Sequence, residues 1–300
     1  MAMNTRKLLL PIFAALFGLA VSAFAQTQTT EATVAKVTGA ATVTLPDGSI
    51  VPLTAGMKVA QGSTITTGAD GDVYLESHAG YVTAIKQDST VLVEEISVAS
   101  KNGQVTKENT TLDLKSGNLI ALLDPKKKAV NNYQVRTPKG VAAARGTLFS
   151  VKVNGKTLNI TVNVVTGTIQ FASPVDGLVT AVAAGHSTVS SPSGMVLGAL
   201  GKDDITISDL ATVAATVAIA AEKGIGGTTS AELAVLIKAI VTAVPEAATS
   251  VTAAVQQYAP SQSSTTTEVI NSVPAAKNEQ SAPILTPQPI DPSTVSRSNE

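Results

Sequence analysis

The sequence contains no cysteine. Disulfides, thiolate metal sites and a lipid anchor on an N-terminal cysteine are therefore excluded, even in an oxidising compartment. Histidine is scarce as well, because only His78 and His186 occur and they lie far apart in the sequence. We interpret both as ordinary polar residues and predict no metal and no other cofactor.

Aromatic residues make up 3% of the chain, and tryptophan is absent. Four tyrosines cannot supply the ring platforms on which sugars or nucleic-acid bases stack. The 21 basic and 22 acidic residues give no basic excess. The run Lys126-Lys127-Lys128 follows Pro125 and is interpreted as an exposed loop. Nucleic acid is therefore not a predicted partner.

No catalytic motif is present, neither a G-x-S-x-G nucleophile elbow nor a phosphate-binding loop. The acidic pair Glu94-Glu95 is predicted to lie on a strand, where neighbouring side chains point to opposite faces. Such a pair is not expected to share a proton or to flank a substrate bond. The sequence therefore predicts a protein that is not an enzyme.

Long hydrophobic runs are also missing. The longest, from Leu8 to Val21, is shorter than the ~20 residues that span a bilayer. Arg6 and Lys7 precede it, and Ala23 and Ala25 form a small-residue cleavage site, so residues 1–25 are predicted to be a signal peptide cleaved after Ala25. A retained membrane anchor is the alternative. The mature chain should be periplasmic or secreted, without a transmembrane segment.

Residues 34–190 show short apolar runs separated by glycine-containing turns at close spacing. This pattern predicts an all-β domain, a sandwich or a solenoid-like fold, preceded by a linker at residues 26–33. Within it, Asn154-Gly155 predicts a two-residue type I′ turn that places Val151 opposite Leu158 and Phe149 opposite Ile160. One face of the hairpin is predicted to be apolar and to face inward, with Phe149, Val151, Val153, Leu158 and Ile160. The side chains predicted to point outward are Ser150, Lys152, Asn159 and Thr161.

The composition changes after residue 190. Residues 191–207 are predicted to be a linker and residues 208–260 a small Ala-rich helical segment. Its first helix follows a Ser208 N-cap and stops at Gly224, its second begins at the capping box Thr229–Glu232, and its third opens at Pro245. Residues 261–300 are rich in Ser, Thr, Gln and Pro and are predicted to be disordered.

One stretch, from Val135 to Val151, combines Thr137-Pro138-x-Gly140, a run of small residues, Arg145-Gly146-Thr147 and Phe149. This stretch resembles the core motif of the FecR domain, and the resemblance extends weakly from residue 34 to residue 189. The family is best known for periplasmic proteins that relay iron-siderophore receptor signals to a sigma/anti-sigma system. The resemblance implies protein–protein interaction in the cell envelope.

In signalling members of that family, the periplasmic domain follows a membrane span and a cytoplasmic region. Here the predicted signal peptide precedes the β domain directly, which does not fit iron-transport signalling. We therefore predict an exported interaction or sensing module with an unknown protein partner in the envelope. The alternative is a module that binds carbohydrate or another envelope component.

The motif residues are predicted to have a structural role: Thr137, Pro138, Gly140, Arg145, Gly146, Thr147 and Phe149. Arg145 is the one large polar group among them. Because alanines and Gly146 flank it, its guanidinium is predicted to face inward and to satisfy backbone carbonyls or a carboxylate. Recognition of an acidic partner is the alternative.

Overall fold

The computed structural model describes residues 26–173, 179–191, 194–199, 205–224 and 228–276. The predicted signal peptide lies outside the described residues, as does the predicted tail from residue 277 onward.

The N-terminal two thirds of the described chain is built from 18 strands. Their bounds are β1 Gln26–Thr29, β2 Ala32–Thr38, β3 Ala41–Thr44, β4 Ile50–Pro52, β5 Lys58–Val59, β6 Thr64–Thr67, β7 Asp72–His78, β8 Tyr81–Ile85, β9 Thr90–Lys101, β10 Gln104–Leu123, β11 Asn131–Thr137, β12 Gly140–Ala144, β13 Leu148–Val153, β14 Ile160–Thr166, β15 Thr168–Ala172, β16 Val179–Ala183, β17 His186–Ser191 and β18 Gly194–Ala199.

The strands form two sheets that share the long strand β10. In the first sheet the order is β4-β3-β6-β9-β10-β11-β12-β15-β16, with β1 beside the second half of β9. In the second sheet it is β18-β17-β14-β13-β10-β8-β7-β2-β5. β10 pairs with β9 and β11 in its first half and with β8 and β13 in its second half. The mainly β fold class is confirmed.

The space between the two sheets holds the main hydrophobic core. Alternate residues of each strand reach it, because successive side chains of a strand point to opposite faces. Tyr133 and Phe149 meet there edge to face, with ring centroids 6.1 Å apart, and the Tyr133 hydroxyl lies 2.6 Å from Thr83 Oγ1. The predicted inward face of β13, with Phe149, Val151 and Val153, is confirmed.

Four helices follow the sheets: α1 Ile207–Lys223, α2 Ser230–Ala243, α3 Ala248–Tyr258 and α4 Ser263–Asn271. They form a second hydrophobic core against the outer face of the second sheet. The sheet contributes Tyr74, Val82, Ala84, Ile120, Leu122 and Leu148. Lys86 on the sheet adds a polar link, because its Nζ lies 3.0 Å from Asp209 Oδ1 at the start of α1. None of the described helices has the length and apolar character needed to cross a membrane.

The helix ends follow local chemistry. α2 begins at the predicted capping box, in which Thr229 and Glu232 exchange hydrogen bonds, and α1 stops at Gly224 in the left-handed conformation. Pro245 opens the 3-10 turn that leads into α3. The Ser208 N-cap is wrong, because Thr206 Oγ1 accepts the Asp209 N–H at 3.1 Å and the helix begins two residues earlier than predicted.

Several predicted boundaries need correction. β1 lies within the stretch predicted as the first linker, and β18 lies within the second, where it pairs antiparallel with β17. α4 lies within the stretch predicted to be disordered. Its Ile270 and Thr266 are fully buried against the other helices, so even this Ser/Thr-rich sequence has an apolar stripe that a neighbouring helix can cover.

The predicted hairpin register is wrong. β13 and β14 are joined by six residues, and Val151 pairs with Val162 while Phe149 pairs with Val164. The Asn154 side chain accepts the N–H groups of Lys156 and Thr157 and so widens the turn. Leu158 takes a positive φ of 55° and is partly exposed instead of facing the core.

Candidate functional site

A cavity of about 980 Å³ opens between the sheets and the helices. One wall is the 3-10 turn Pro125–Lys127, the floor is formed by the turns that follow β14 and β16, and the other wall is the outer face of α2 with the end of α4. We call this cavity the groove. Its lining residues are Pro125, Lys126, Lys128, Gly146, Val165, Thr166, Gly167, Ala184, Ala231, Ala234, Val235, Lys238, Ala239, Thr242, Ala243, Val269 and Ser272.

α2 has two faces of different character. Its large apolar side chains are fully buried in the helical core: Leu233, Leu236, Ile237, Ile240 and Val241. The opposite face carries mostly alanine and borders the groove. Small side chains let another chain approach the helix backbone closely, so this wall of the groove suits an apolar segment more than a small polar molecule.

The wall opposite α2 depends on Gly146. This residue has φ +60°, and a Cβ added there would lie 2.6 Å from Pro125 Cα. Asp124 shapes the same wall, because its Oδ1 accepts the Lys126 N–H at 2.7 Å. Lys127 is held inward, with its Nζ donating to the Ala79 carbonyl at 2.7 Å. The two neighbouring lysines therefore face the groove.

The charge around the groove has one sign. Lys126, Lys128 and Lys238 line it and are exposed, and no acidic residue is among the described residues that line it. None of these three lysines has an ion-pair partner within the described part of the chain. The groove is therefore apolar inside and positively charged at its rim.

The motif residues predicted from the sequence lie mostly in the sheets. Thr137 and Gly140 close the tight turn between β11 and β12, where Thr137 Oγ1 donates to the Gly140 carbonyl at 2.7 Å across Pro138. Thr147 and Phe149 are buried. Of the seven motif residues, Gly146 alone borders the groove.

Arg145 is not where the sequence predicted it. The residue is exposed, and its guanidinium makes no hydrogen bond or ion pair within the described residues. The inward-facing interpretation is therefore wrong. Gly146, not Arg145, makes the close contact with the neighbouring backbone, and the chain bends there so that the Arg145 side chain points to solvent.

We expect Arg145→Ala to leave the free energy of unfolding within about 0.5 kcal/mol of wild type, because an exposed side chain without partners contributes little. Arg145→Lys should behave in the same way. Denaturant melts of both variants check this expectation. A clear fall in either midpoint would mean that the guanidinium does hold the segment together.

A buried acidic residue lies beneath the start of α2. Glu76 on β7 is 1% exposed, and neither carboxyl oxygen is in a well-formed hydrogen bond with a described residue. Burial raises the pKa of Glu76 to about 8, and the backbone N–H of Gly80 opposes the rise. Gly80 joins this site to α2, because its N–H donates to Thr228 Oγ1 at 3.2 Å.

Sequence reasoning missed Glu76. A lone glutamate in a strand is usually solvated, and nothing in the sequence marks both faces of β7 as covered. His78 on the same strand is buried too, with its Nε2 3.0 Å from the Asn109 carbonyl, and burial lowers its pKa. His186 lies at the surface, with Nδ1 3.0 Å from the Ala184 carbonyl.

The pair Glu94-Glu95 differs from the prediction. A bulge in the β9–β10 pairing leaves Glu94 without an opposite residue, so both carboxyl groups line one polar depression of about 310 Å³. Arg136 Nη1 donates to Glu94 Oε1 at 2.9 Å, and Ser97 Oγ donates to Glu95 Oε1 at 2.6 Å. Among the described residues, no group of three or more His, Asp or Glu side chains could hold a metal ion.

Comparison with known proteins supports the resemblance to the FecR domain that the stretch from Val135 to Val151 suggested. Residues 63–170 match the family model described as FecR protein. No curated protein matches the sequence. Two crystal structures described as "a putative anti-sigma factor from Parabacteroides distasonis ATCC 8503", at 1.65 and 2.50 Å resolution, are each 14% identical. Their TM-scores are 0.37 over 46% of this chain and 0.29 over 58% of it. The chain spans about three fifths of each of those chains, 59% and 61%.

The family match runs from β6 into β15 and includes the stretch from Thr137 to Phe149 that first suggested the resemblance. Residues 63–170 of this chain are therefore similar to the FecR protein family over about a third of the chain.

Proposed function

We propose that the chain is an exported, non-enzymatic FecR-domain protein that acts as an interaction or sensing module by binding another protein in the cell envelope. The groove carries this proposal. It is a large, mostly apolar concavity, and apolar grooves beside a helix are a common way to bind a segment of a partner protein.

The charges suggest what the partner contributes. Three lysines surround an apolar interior and have no acidic partner in the described chain, so an occupant with acidic side chains beside its apolar ones would complement the groove. Such rim charges mainly accelerate association and select against basic partners, whereas the apolar contacts supply most of the affinity.

Export is part of the proposal. Removal of residues 1–25 leaves a mature chain that begins at Gln26, and strand β1 would begin at that residue. Intact-mass measurement of the protein from its native host should give a chain that starts at Gln26. A mass that includes residues 1–25, found in the membrane fraction, would favour the anchored alternative.

The polar depression at Glu94 and Glu95 is the surface that a carbohydrate-binding module would use. Its lining combines carboxyl groups, amides and Arg136, which can hydrogen-bond sugar hydroxyls. It contains no aromatic ring, so it lacks the stacking surface of a typical sugar site. Binding of envelope polysaccharide that depends on Arg136 would favour this second candidate.

Two alanine-to-arginine variants test the groove. Ala239→Arg places a long charged side chain in the groove wall of α2, and Ala253→Arg makes the same change on an exposed position of α3 outside the groove. Both residues are helical, and arginine is a good helix former. Affinity capture from envelope extract should recover a protein with wild type and Ala253→Arg, and lose it with Ala239→Arg. Equal capture by all three chains would place the binding surface elsewhere.

A further inference from the structure

We propose that the groove is occupied by the C-terminal segment of the same chain, residues 283–292, when no partner is bound. This inference rests on the proposed function, since it makes the tail a competitor for the partner's site. The segment reads Pro-Ile-Leu-Thr-Pro-Gln-Pro-Ile-Asp-Pro and follows the helices by a short stretch of chain.

The chain leaves the helices beside the groove. Val269 and Ser272, at the end of α4, line it, and the described chain ends at Ala276. Seven residues lie between Ala276 and Ile284, and the eight residue steps of an extended chain reach up to about 26 Å. The tail can therefore turn back into the groove without moving any helix.

The lengths agree. The groove face of α2 runs from Ala231 to Ala243, about 18 Å at 1.5 Å per residue. Four prolines within residues 283–292 favour the polyproline II conformation, in which Ile284 and Ile290 are about 19 Å apart. The two isoleucines at its ends and Leu285 would cover the alanine-rich wall along its whole length.

Composition and charge support the same occupant. Proline fixes φ before binding, so ordering this segment costs less conformational entropy than ordering an average one. Asp291 directly follows Ile290 and would lie close to the unpaired lysines at the rim. The tail cannot bury a core of its own, but a preformed apolar groove supplies the missing surface.

Because the tail belongs to the same chain as the groove, a low intrinsic affinity is enough to keep the groove occupied. A short linker gives an effective concentration of the order of millimolar, so an intrinsic dissociation constant of about 0.1 mM would keep the groove roughly nine-tenths filled. A partner that binds in the micromolar range would displace the tail at moderate concentration. The tail would therefore set a threshold for binding.

The absence of native cysteine permits a direct test on the full-length chain. Ala239→Cys places a single thiol in the groove, and Ala253→Cys places one on α3 as the matched control. We expect the thiol at position 239 to be alkylated more slowly by a neutral reagent, and the double substitution Ile284→Asp, Leu285→Asp to raise its rate about tenfold. The same tail substitutions should leave the rate at position 253 and the denaturant midpoint unchanged.

A second variant identifies what covers the thiol. Ala239→Cys combined with Leu285→Cys should form an intramolecular disulfide in a monomer under mild oxidation. Disulfide-linked dimers, or protection that grows with protein concentration, would show that a second copy fills the groove and would overturn the proposal. The proposal would also be overturned if the tail substitutions left the alkylation rate at position 239 unchanged. Neither measurement needs a partner, so their failure leaves the capture experiment to decide the proposed function.

Discussion

The variant Glu76→Gln should be more stable than wild type at pH 8 and above, by up to about 5 kcal/mol. In the folded chain, burial raises the pKa of Glu76 from 4.5 to about 8. A carboxyl group that must stay protonated to remain buried favours unfolding once the pH exceeds its unfolded pKa, and each unit of pKa shift corresponds to about 1.4 kcal/mol.

Because the folded chain binds the Glu76 proton more tightly than the unfolded chain does, stability falls as the pH rises. Below about pH 4.5 both states hold the proton, so the contribution of Glu76 to stability is fully present. Between pH 4.5 and 8 the unfolded chain loses the proton while the folded chain keeps it, and stability falls as the pH rises. Above about pH 8 both states are charged and the loss is complete.

Glu76→Gln removes this titration while it keeps the side-chain shape. The stability difference between variant and wild type should therefore grow from pH 5 to pH 8 and then level off, as followed by denaturant melts at each pH. Glu268→Gln, on the exposed face of α4, is the matched control and should show no such growth. Parallel pH profiles for Glu76→Gln and wild type would mean that Glu76 is charged in the folded protein.

The variant Gly140→Ala should lose about 3 kcal/mol of unfolding free energy. A Cβ at this position would lie 2.3 Å from Phe171 Cζ and 2.7 Å from the Ala172 carbonyl oxygen. The ring is fully buried, and the carbonyl belongs to β15, which pairs with β12. Neither can move away without disturbing the core or the sheet.

The matched control is Gly155→Ala in the loop between β13 and β14. The nearest atom to its added Cβ is Ser116 Cβ at 3.7 Å, an ordinary contact, so we expect a change within about 0.5 kcal/mol. Denaturant melts of the two variants compare the same chemical change at a crowded and an open site. Equal midpoints would remove the structural role proposed for Gly140 in the motif.

Features set by neighbouring residues could be predicted from the sequence. The capping box at Thr229 and Glu232 and the stop at Gly224 depend on a few adjacent groups, and the structure has both. The prediction of a two-residue turn was wrong, although it too depended on neighbouring residues. The Asn154 side chain accepts hydrogen bonds from the backbone N–H groups of Lys156 and Thr157, and these bonds stabilise a longer loop. The predicted inward face survived, since the register moved by an even number of residues.

Features set by distant residues could not be predicted. Ser150 was predicted to point outward, yet it is buried and accepts a hydrogen bond from the side-chain amide of Asn163 at 3.1 Å. The helices cover that face of the second sheet. The sequence around Ser150 gives no indication of this contact, because the helices begin more than fifty residues later in the chain. The groove could not be predicted for the same reason. The alanines on the outer face of α2 form a groove only because Gly146 and the turns of the sheet lie opposite them.

Photo-cross-linking in the native host can show whether the groove binds another protein. A photoreactive amino acid at Ala239 lies within the groove, and the same amino acid at Ala253 lies outside it on another exposed helix position. Binding in the groove predicts a discrete cross-linked adduct between the chain and a second protein at position 239, stronger when the tail carries Ile284→Asp and Leu285→Asp, and none at position 253. Adducts of equal yield at both positions, or an adduct at position 253 alone, would contradict it.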